Sequence, residues 1–220
     1  MISVLINNHN YGEFIGEAIE SVLNQSYKDF EIVIVDGDST DNSREIIMSY
    51  VEKFPKIITA VFKPTSGQAA AFNVGYKLCR GDILAFLDSD DYFLENKLEK
   101  IAKWHQEYDF IGHSRTLHGA DGKLKSTDTV VDVYEERSKL LKKYGFIYTY
   151  GLITSCCSMT RKMADLIFPM PEDGYITFAD CYVKVLAQYY GNIKFFEEPL
   201  SYYRVHQKQD SKSFGDSKKL

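Results

Sequence analysis

The sequence predicts an α/β protein built on a mostly parallel, doubly wound sheet. Four short apolar runs, at residues 2–6, 30–35, 57–62 and 83–87, alternate with segments of helical periodicity. The runs are nearly continuous rather than alternating, as expected of strands buried on both faces. Polar clusters follow three of them. The sharpest is Asp88-Ser89-Asp90-Asp91 after Ile83-Leu84-Ala85-Phe86-Leu87. Open α/β sheets bind ligands outside the carboxyl ends of their strands.

Each element has its own signal. Residues 2–6 are an apolar strand that opens the chain without a basic leader, so no signal peptide is expected. Residues 12–25 carry Ile15, Ala18, Ile19, Val22 and Leu23 at helical spacing. Ser39-Thr40-Asp41 reads as the cap of a helix ending near residue 53. In residues 68–79, Phe72, Gly75, Tyr76 and Cys79 share a helical face, and residues 96–107 form a further helix. Beyond residue 108 the rhythm loosens. Residues 109–117 and 123–133 flank Gly119-Ala120-Asp121-Gly122 and suggest a hairpin. Residues 134–144 look helical and basic, residues 153–160 look like a strand, and 177–190 form a helix with Tyr182, Val185, Leu186 and Tyr189 in register. Residues 193–204 read as a strand interrupted at Pro199. A single domain over residues 1–220 is expected. It divides into a nucleotide-binding half (1–108), a substrate half (109–205) and a flexible polar tail (206–220).

Composition narrows the function. A net charge of −5 argues against nucleic acid as a partner. Cys79, Cys156, Cys157 and Cys181 form no CxxC or His-interleaved zinc pattern, and read as reduced thiols of a cytoplasmic protein. No run of eighteen apolar residues exists to span a membrane. Arg137, Lys139, Lys142 and Lys143 beside Leu140, Leu141 and Phe146 leave open a peripheral contact with the cytoplasmic face of a membrane, although a solvated helix face is the plainer reading.

Six constellations could carry chemistry. Asn7-Asn8-His9-Asn10-Tyr11 follows the first strand. Asp36-Gly37-Asp38 follows the second, and since both acids cannot cap the next helix, one is free for a ligand. Ser66-Gly67-Gln68 leads through Asn73 into a helix, where backbone N–H groups could face an anion. There is no GxxxxGK[ST] and no GxGxxG. Asp88, Asp90 and Asp91 form either an Asx-rich turn or a site where a divalent cation offsets their repulsion. Thr177 and Asp180 have capping-box spacing. His206 in Tyr203-Arg204-Val205-His206 becomes a ligand only if the fold returns it to the acids.

In order, these segments resemble family 2 glycosyltransferases of the type-A fold. The resemblance is tight from residue 2 to about 93 and looser to about 212, and the ordered set is far more specific than any one part. It implies that Asp88-Ser89-Asp90 is the DXD motif holding Mn²⁺ or Mg²⁺ on a donor diphosphate, with Asp88, Asp90 and His206 as metal ligands. It implies donor contacts by Asn7, Asn10, Asp36, Asp38, Gln68, Asn73, Asp88 and Ser89, and Asp180 as general base. The usual paired acids after the second strand are split here as Asp36-Gly37-Asp38, which leaves open which one meets the base. The implied activity is metal-dependent, inverting transfer from a nucleotide-diphosphate sugar, with a UDP-sugar as first expectation. The acceptor would be a glycan or lipid-linked hydroxyl in surface polysaccharide synthesis. A nucleotide-sugar-binding domain without catalysis is the alternative. A haloacid-dehalogenase-type phosphatase also has Asp-x-Asp after an apolar strand, but Tyr92 stands where that motif has Thr or Val.

Overall fold

The computed structural model describes residues 1–119, 124–128, 152–173 and 178–207. The predicted 134–144 helix, Thr177 and nearly all of the expected tail lie outside the described residues.

The first half follows the expected alternation: β1 (Ile2–Asn8), α1 (Ile15–Leu23), β2 (Phe30–Asp36), α2 (Ser43–Lys53), β3 (Ile58–Phe62), α3 (Gln68–Tyr76) and β4 (Ile83–Asp88). The short β5 (Tyr92–Phe93) and α4 (Lys97–Trp104) come next. Then come β6 (Phe110–Gly119), β7 (Leu124–Asp128), a 3₁₀ turn (Thr154–Cys156), β8 (Cys157–Thr160), α5 (Arg161–Ile167), α6 (Ala179–Tyr190) and β9 (Ile193–Val205).

The sheet order is β3-β2-β1-β4-β8-β6-β9-β5, with β7 paired to β6. β3, β2, β1 and β4 run parallel, while β8 is antiparallel to both β4 and β6. β9 then pairs parallel with β6. The sheet is mostly parallel with helices on both faces, as expected. Alternation of side chains across the pleat explains the continuous apolar runs. Val4, Ile6, Ile32, Ile34, Ala85 and Leu87 face α1, α2 and α4 through Ile15, Ile19, Ile47 and Leu98. Leu5, Val33, Val35, Leu84 and Phe86 face α3, α5 and α6 through Phe72, Met163 and Val183. Gly75 lets α3 lie close on the sheet: a Cβ there would come within 2.2 Å of Leu5 Cδ1.

Several expectations are corrected. Asp41 does not begin the second helix, whose N-cap is Asn42. Its carboxylate instead accepts the Ser43 N–H at 3.0 Å and the Gly12 N–H at 2.8 Å, tying two loops together. Helix α5 has no counterpart in the sequence reading. Pro199 does not break the last strand; it sits opposite Ser114 where the register shifts, the place a residue without an N–H can occupy. The face of α6 is also different. Its buried residues are Ala179, Asp180, Val183, Lys184 and Ala187. Val185 and Tyr189 are exposed, and Tyr182 and Leu186 are half-buried at the rim of the core.

Candidate active site

Strand register assembles the site. β1 is central, and Asn7 stands opposite Val35 on one side and Asp88 on the other, while Asn8 stands opposite Asp36. The chain moves outward from β1 to β3 and then returns to place β4 on the other side, so the crevice at these carboxyl ends is a topological switch point.

The loops after β1 and β2 are stitched together. Asp36 is buried, and one of its oxygens accepts from Asn8 Nδ2 and Ser39 Oγ, both at 2.7 Å, while the other accepts the Ser39 N–H at 2.9 Å. Asn10 donates its N–H to Ser39 Oγ at 2.8 Å and accepts the Thr40 N–H at 2.7 Å. Asp36 is thus committed to holding these two loops together. Asp38 is exposed and held in the left-handed region at φ 67°. Asn7 Oδ1, Asn8 Oδ1 and Ser89 Oγ are buried without a protein partner, a costly state for a polar atom.

The acidic turn points three ways. Asp88, half-buried, accepts from Gln68 Nε2 at 3.2 Å. Asp90 Oδ2 lies 3.0 Å from His206 Nε2, so the fold does return His206 to the acids. Asp91 turns inward, where its oxygens accept from Ser155 Oγ at 2.6 Å and from the Arg204 N–H at 3.0 Å. Asp91 is therefore a structural member of the cluster. Burial, then the charges of Asp90 and Asp180, hold the Asp88 carboxyl well above the usual carboxylate range. Burial, then Asp90 and Asp88, do the same to Asp91. Arg204 clamps the turn, donating from Nε to the Asp90 carbonyl at 3.0 Å and pairing with Glu17. The His206 ring packs on Phe14 with centroids 4.7 Å apart.

Helix α6 brings Asp180 to the same neighbourhood. The sequence suggested Thr177 as N-cap with Asp180 three residues on, but the N-cap is Phe178, so Asp180 belongs to the second helical position. Asp180 Oδ2 accepts from Lys184 Nζ at 2.8 Å, and Lys184 also donates to the Leu152 carbonyl at 2.7 Å. Burial alone would lower the Lys184 ammonium, but Asp180 outweighs it and the pKa is raised. Gln68 and Asn73 spend their amides on protein partners. Gln68 Oε1 accepts the Ala179 N–H at 2.8 Å. Asn73 donates to the Met170 carbonyl at 2.8 Å and accepts the Met170 N–H at 2.8 Å, clamping the loop before α6.

Sequence reasoning missed the support beneath the turn. Ser155 Oγ accepts the Asp88 N–H at 3.1 Å as well as donating to Asp91. The Ser155 carbonyl accepts from Lys97 Nζ at 2.6 Å and from Ser201 Oγ at 2.7 Å. Lys97 is fully buried, and desolvation pushes its ammonium down to about 7. It also missed the partner of Asp180, although Lys184 stands four residues after it, the spacing of a helical ion pair.

The chain belongs to glycosyl transferase family 2, whose profile matches residues 3–168. A glycosyltransferase of Nostoc sp. described as uncharacterized is 35% identical over 209 residues, 93% of this chain and 65% of its own length. Staphylococcus aureus TarS residues 1–349, solved with UDP-GlcNAc, superposes with a TM-score of 0.75 at 20% identity, covering 96% of this chain and 60% of that one. The mannosyltransferase PcManGT of Pyrobaculum calidifontis, solved with GDP-Man and Mn²⁺, gives 0.68 at 17% identity, covering 100% of this chain and 65% of that one. The chain thus spans under two thirds of each of these proteins. Both structures share the type-A glycosyltransferase fold. Among the described residues no helix is long and apolar enough to cross a membrane.

Proposed function

We propose that this chain transfers a sugar from a nucleotide-diphosphate donor to an acceptor hydroxyl, with inversion at the anomeric carbon and with metal dependence. The observation that carries this reading is the meeting of Asp88 and Asp90 from a strand end with Asp180 from a distant helix: the Gln68 side chain hydrogen-bonds both Asp88 and the Ala179 N–H next to Asp180.

Asp180 is the general base. The acceptor oxygen bonds to the anomeric carbon, its proton passes to the Asp180 carboxylate, and the bond to the diphosphate oxygen breaks with its electron pair leaving on the nucleotide. One displacement inverts the centre without an enzyme nucleophile, and a positioned base contributes ~10²–10⁴-fold. Lys184 keeps Asp180 aimed by the ion pair within α6. The donor's nucleoside is assigned to the pocket framed by Asn7, Asn10, Asp36 and Asp38, and its phosphates to the acidic turn beside Ser89.

The donor set suits a hard divalent cation, Mn²⁺ or Mg²⁺. Asp88 and Asp90 supply carboxylate oxygens in a place crowded with like charge, and His206 adds a nitrogen beside Asp90. Among the described residues no three His, Cys, Asp or Glu side chains form a ready-made metal cage. Phosphate oxygens of a bound donor would complete the coordination of such a cation. When bound, such a cation neutralises charge on the leaving diphosphate.

A UDP-sugar is the first donor to test, since the TarS structure holds UDP-GlcNAc, and a GDP-sugar the second, as in PcManGT. A glycan or lipid-linked acceptor of surface polysaccharide synthesis fits the family resemblance. The test is Asp180→Asn. Transfer should fall at least ~10²-fold while nucleotide affinity stays near wild type. Near-normal transfer by this variant would remove Asp180 from the role of base.

A further inference from the structure

We propose that Gln68 is a positioning residue that joins the donor half of the site to the base: it caps the base helix from another helix and holds the acidic turn with the same side chain. This rests on the functional reading above for what it positions, but the linkage itself is a property of the fold.

The first N–H groups of an α-helix have no partner within the helix. A local cap usually meets this need: a Ser, Thr, Asp or Asn side chain at the N-cap. Helix α6 has Phe178 at its N-cap, which has no side-chain oxygen to offer, and Phe178 adopts φ 61°. The partner of the Ala179 N–H comes instead from 111 residues away, as Gln68 Oε1 at 2.8 Å. The other end of the same amide donates to Asp88 Oδ1 at 3.2 Å and to Thr154 Oγ1 at 3.3 Å. One planar group therefore spans from the acidic strand end to the residue just before Asp180.

The placement of Gln68 is itself fixed. It opens α3, directly after Gly67, whose φ of 120° is open to glycine and strained for other residues. Packing of α3 against the sheet through Ala69 and Phe72 then sets the direction of the side chain. A glutamine is the fitting residue, because the link needs an acceptor toward Ala179 and a donor toward Asp88. Glutamate keeps the acceptor and replaces the donor with a charge facing Asp88. Methionine matches the length and offers neither.

The test is amide hydrogen exchange at Ala179, read by NMR on the whole chain, beside transfer kinetics. In the protein without ligands, Gln68→Met should speed exchange at Ala179 roughly fivefold, the scale of a lost cap, while amides of β1 and β4 keep wild-type protection. Gln68→Glu should leave Ala179 protected. In transfer assays both variants should lower kcat more than they raise the donor KM, because the base is held less well relative to the donor, and Gln68→Met should be the worse of the two. Wild-type exchange at Ala179 in Gln68→Met, with the sheet intact, would overturn the proposal, as would equal kcat in Gln68→Met and wild type. If the wild-type chain transfers no sugar, the functional reading fails alone. The exchange result then still decides whether Gln68 caps α6.

Discussion

At the scale of single residues, the site is a set of carboxylates given different tasks by their partners. Asp36 and Asp91 have both carboxylate oxygens hydrogen-bonded within the protein and build the frame. Asp88 has like charges for neighbours, and its raised pKa has a consequence for stability. A carboxyl that binds its proton more tightly when folded favours folding below the ordinary carboxylate range. That advantage is lost as pH rises through the raised value. Asp88→Asn, which keeps an acceptor for Gln68, should therefore be at least as stable as wild type at neutral pH without metal. The difference should vanish in acid. Urea unfolding at both pH values measures it, and a variant less stable than wild type at neutral pH would contradict the assignment. The sequence showed which carboxylates cluster but not which way each points. In a four-residue turn, direction depends on distant partners such as Ser155, Arg204 and His206.

At the scale of elements, α6 shows where sequence periodicity misleads. The aromatic and aliphatic stripe of Tyr182, Val185, Leu186 and Tyr189 looked like the core face. The helix instead buries Asp180 and Lys184, because their ion pair lets both leave water together. Breaking a buried pair by removing one partner strands the other. Lys184→Met should cost ~3–5 kcal/mol of unfolding free energy, because Asp180 and the Leu152 carbonyl both lose their donor. Denaturant titration measures it, and a change under about 1 kcal/mol would mean that the pair contributes little. Helix α5 was unreadable for a simpler reason. It is one short element, Arg161–Ile167, whose Thr160 cap accepts the Met163 N–H at 3.3 Å. That is too little sequence for a period to emerge.

At the scale of the whole molecule, the parallel half was legible because its strands and helices alternate in order, which marks a doubly wound sheet even where a pairing such as β1 with β4 is distant in sequence. The second half was not, since its strands and helices do not alternate, β8 inserts antiparallel between β4 and β6, and β9 pairs in parallel with β6. No local pattern encodes such pairings. The two halves share one core face, on which Phe72 and Phe86 pack with centroids 5.0 Å apart, together with Met163 and Val183. Phe86→Ala should lower stability by ~3–5 kcal/mol. Denaturant unfolding measures it. A loss of stability well below that range would show that the core face is less tightly packed than described.

The central claim is that the acidic turn binds a nucleotide through a divalent cation. Its most direct measurement is thermal unfolding of wild type and Asp90→Ala with UDP, GDP, dTDP and CMP sugars, with and without Mn²⁺, since a ligand that binds the native state raises its unfolding temperature. At least one nucleotide sugar should raise the wild-type temperature in the presence of Mn²⁺ and much less in its absence. Asp90→Ala should lose that Mn²⁺-dependent increment. The claim is contradicted if no nucleotide sugar stabilises the wild type, or if Asp90→Ala responds as the wild type does.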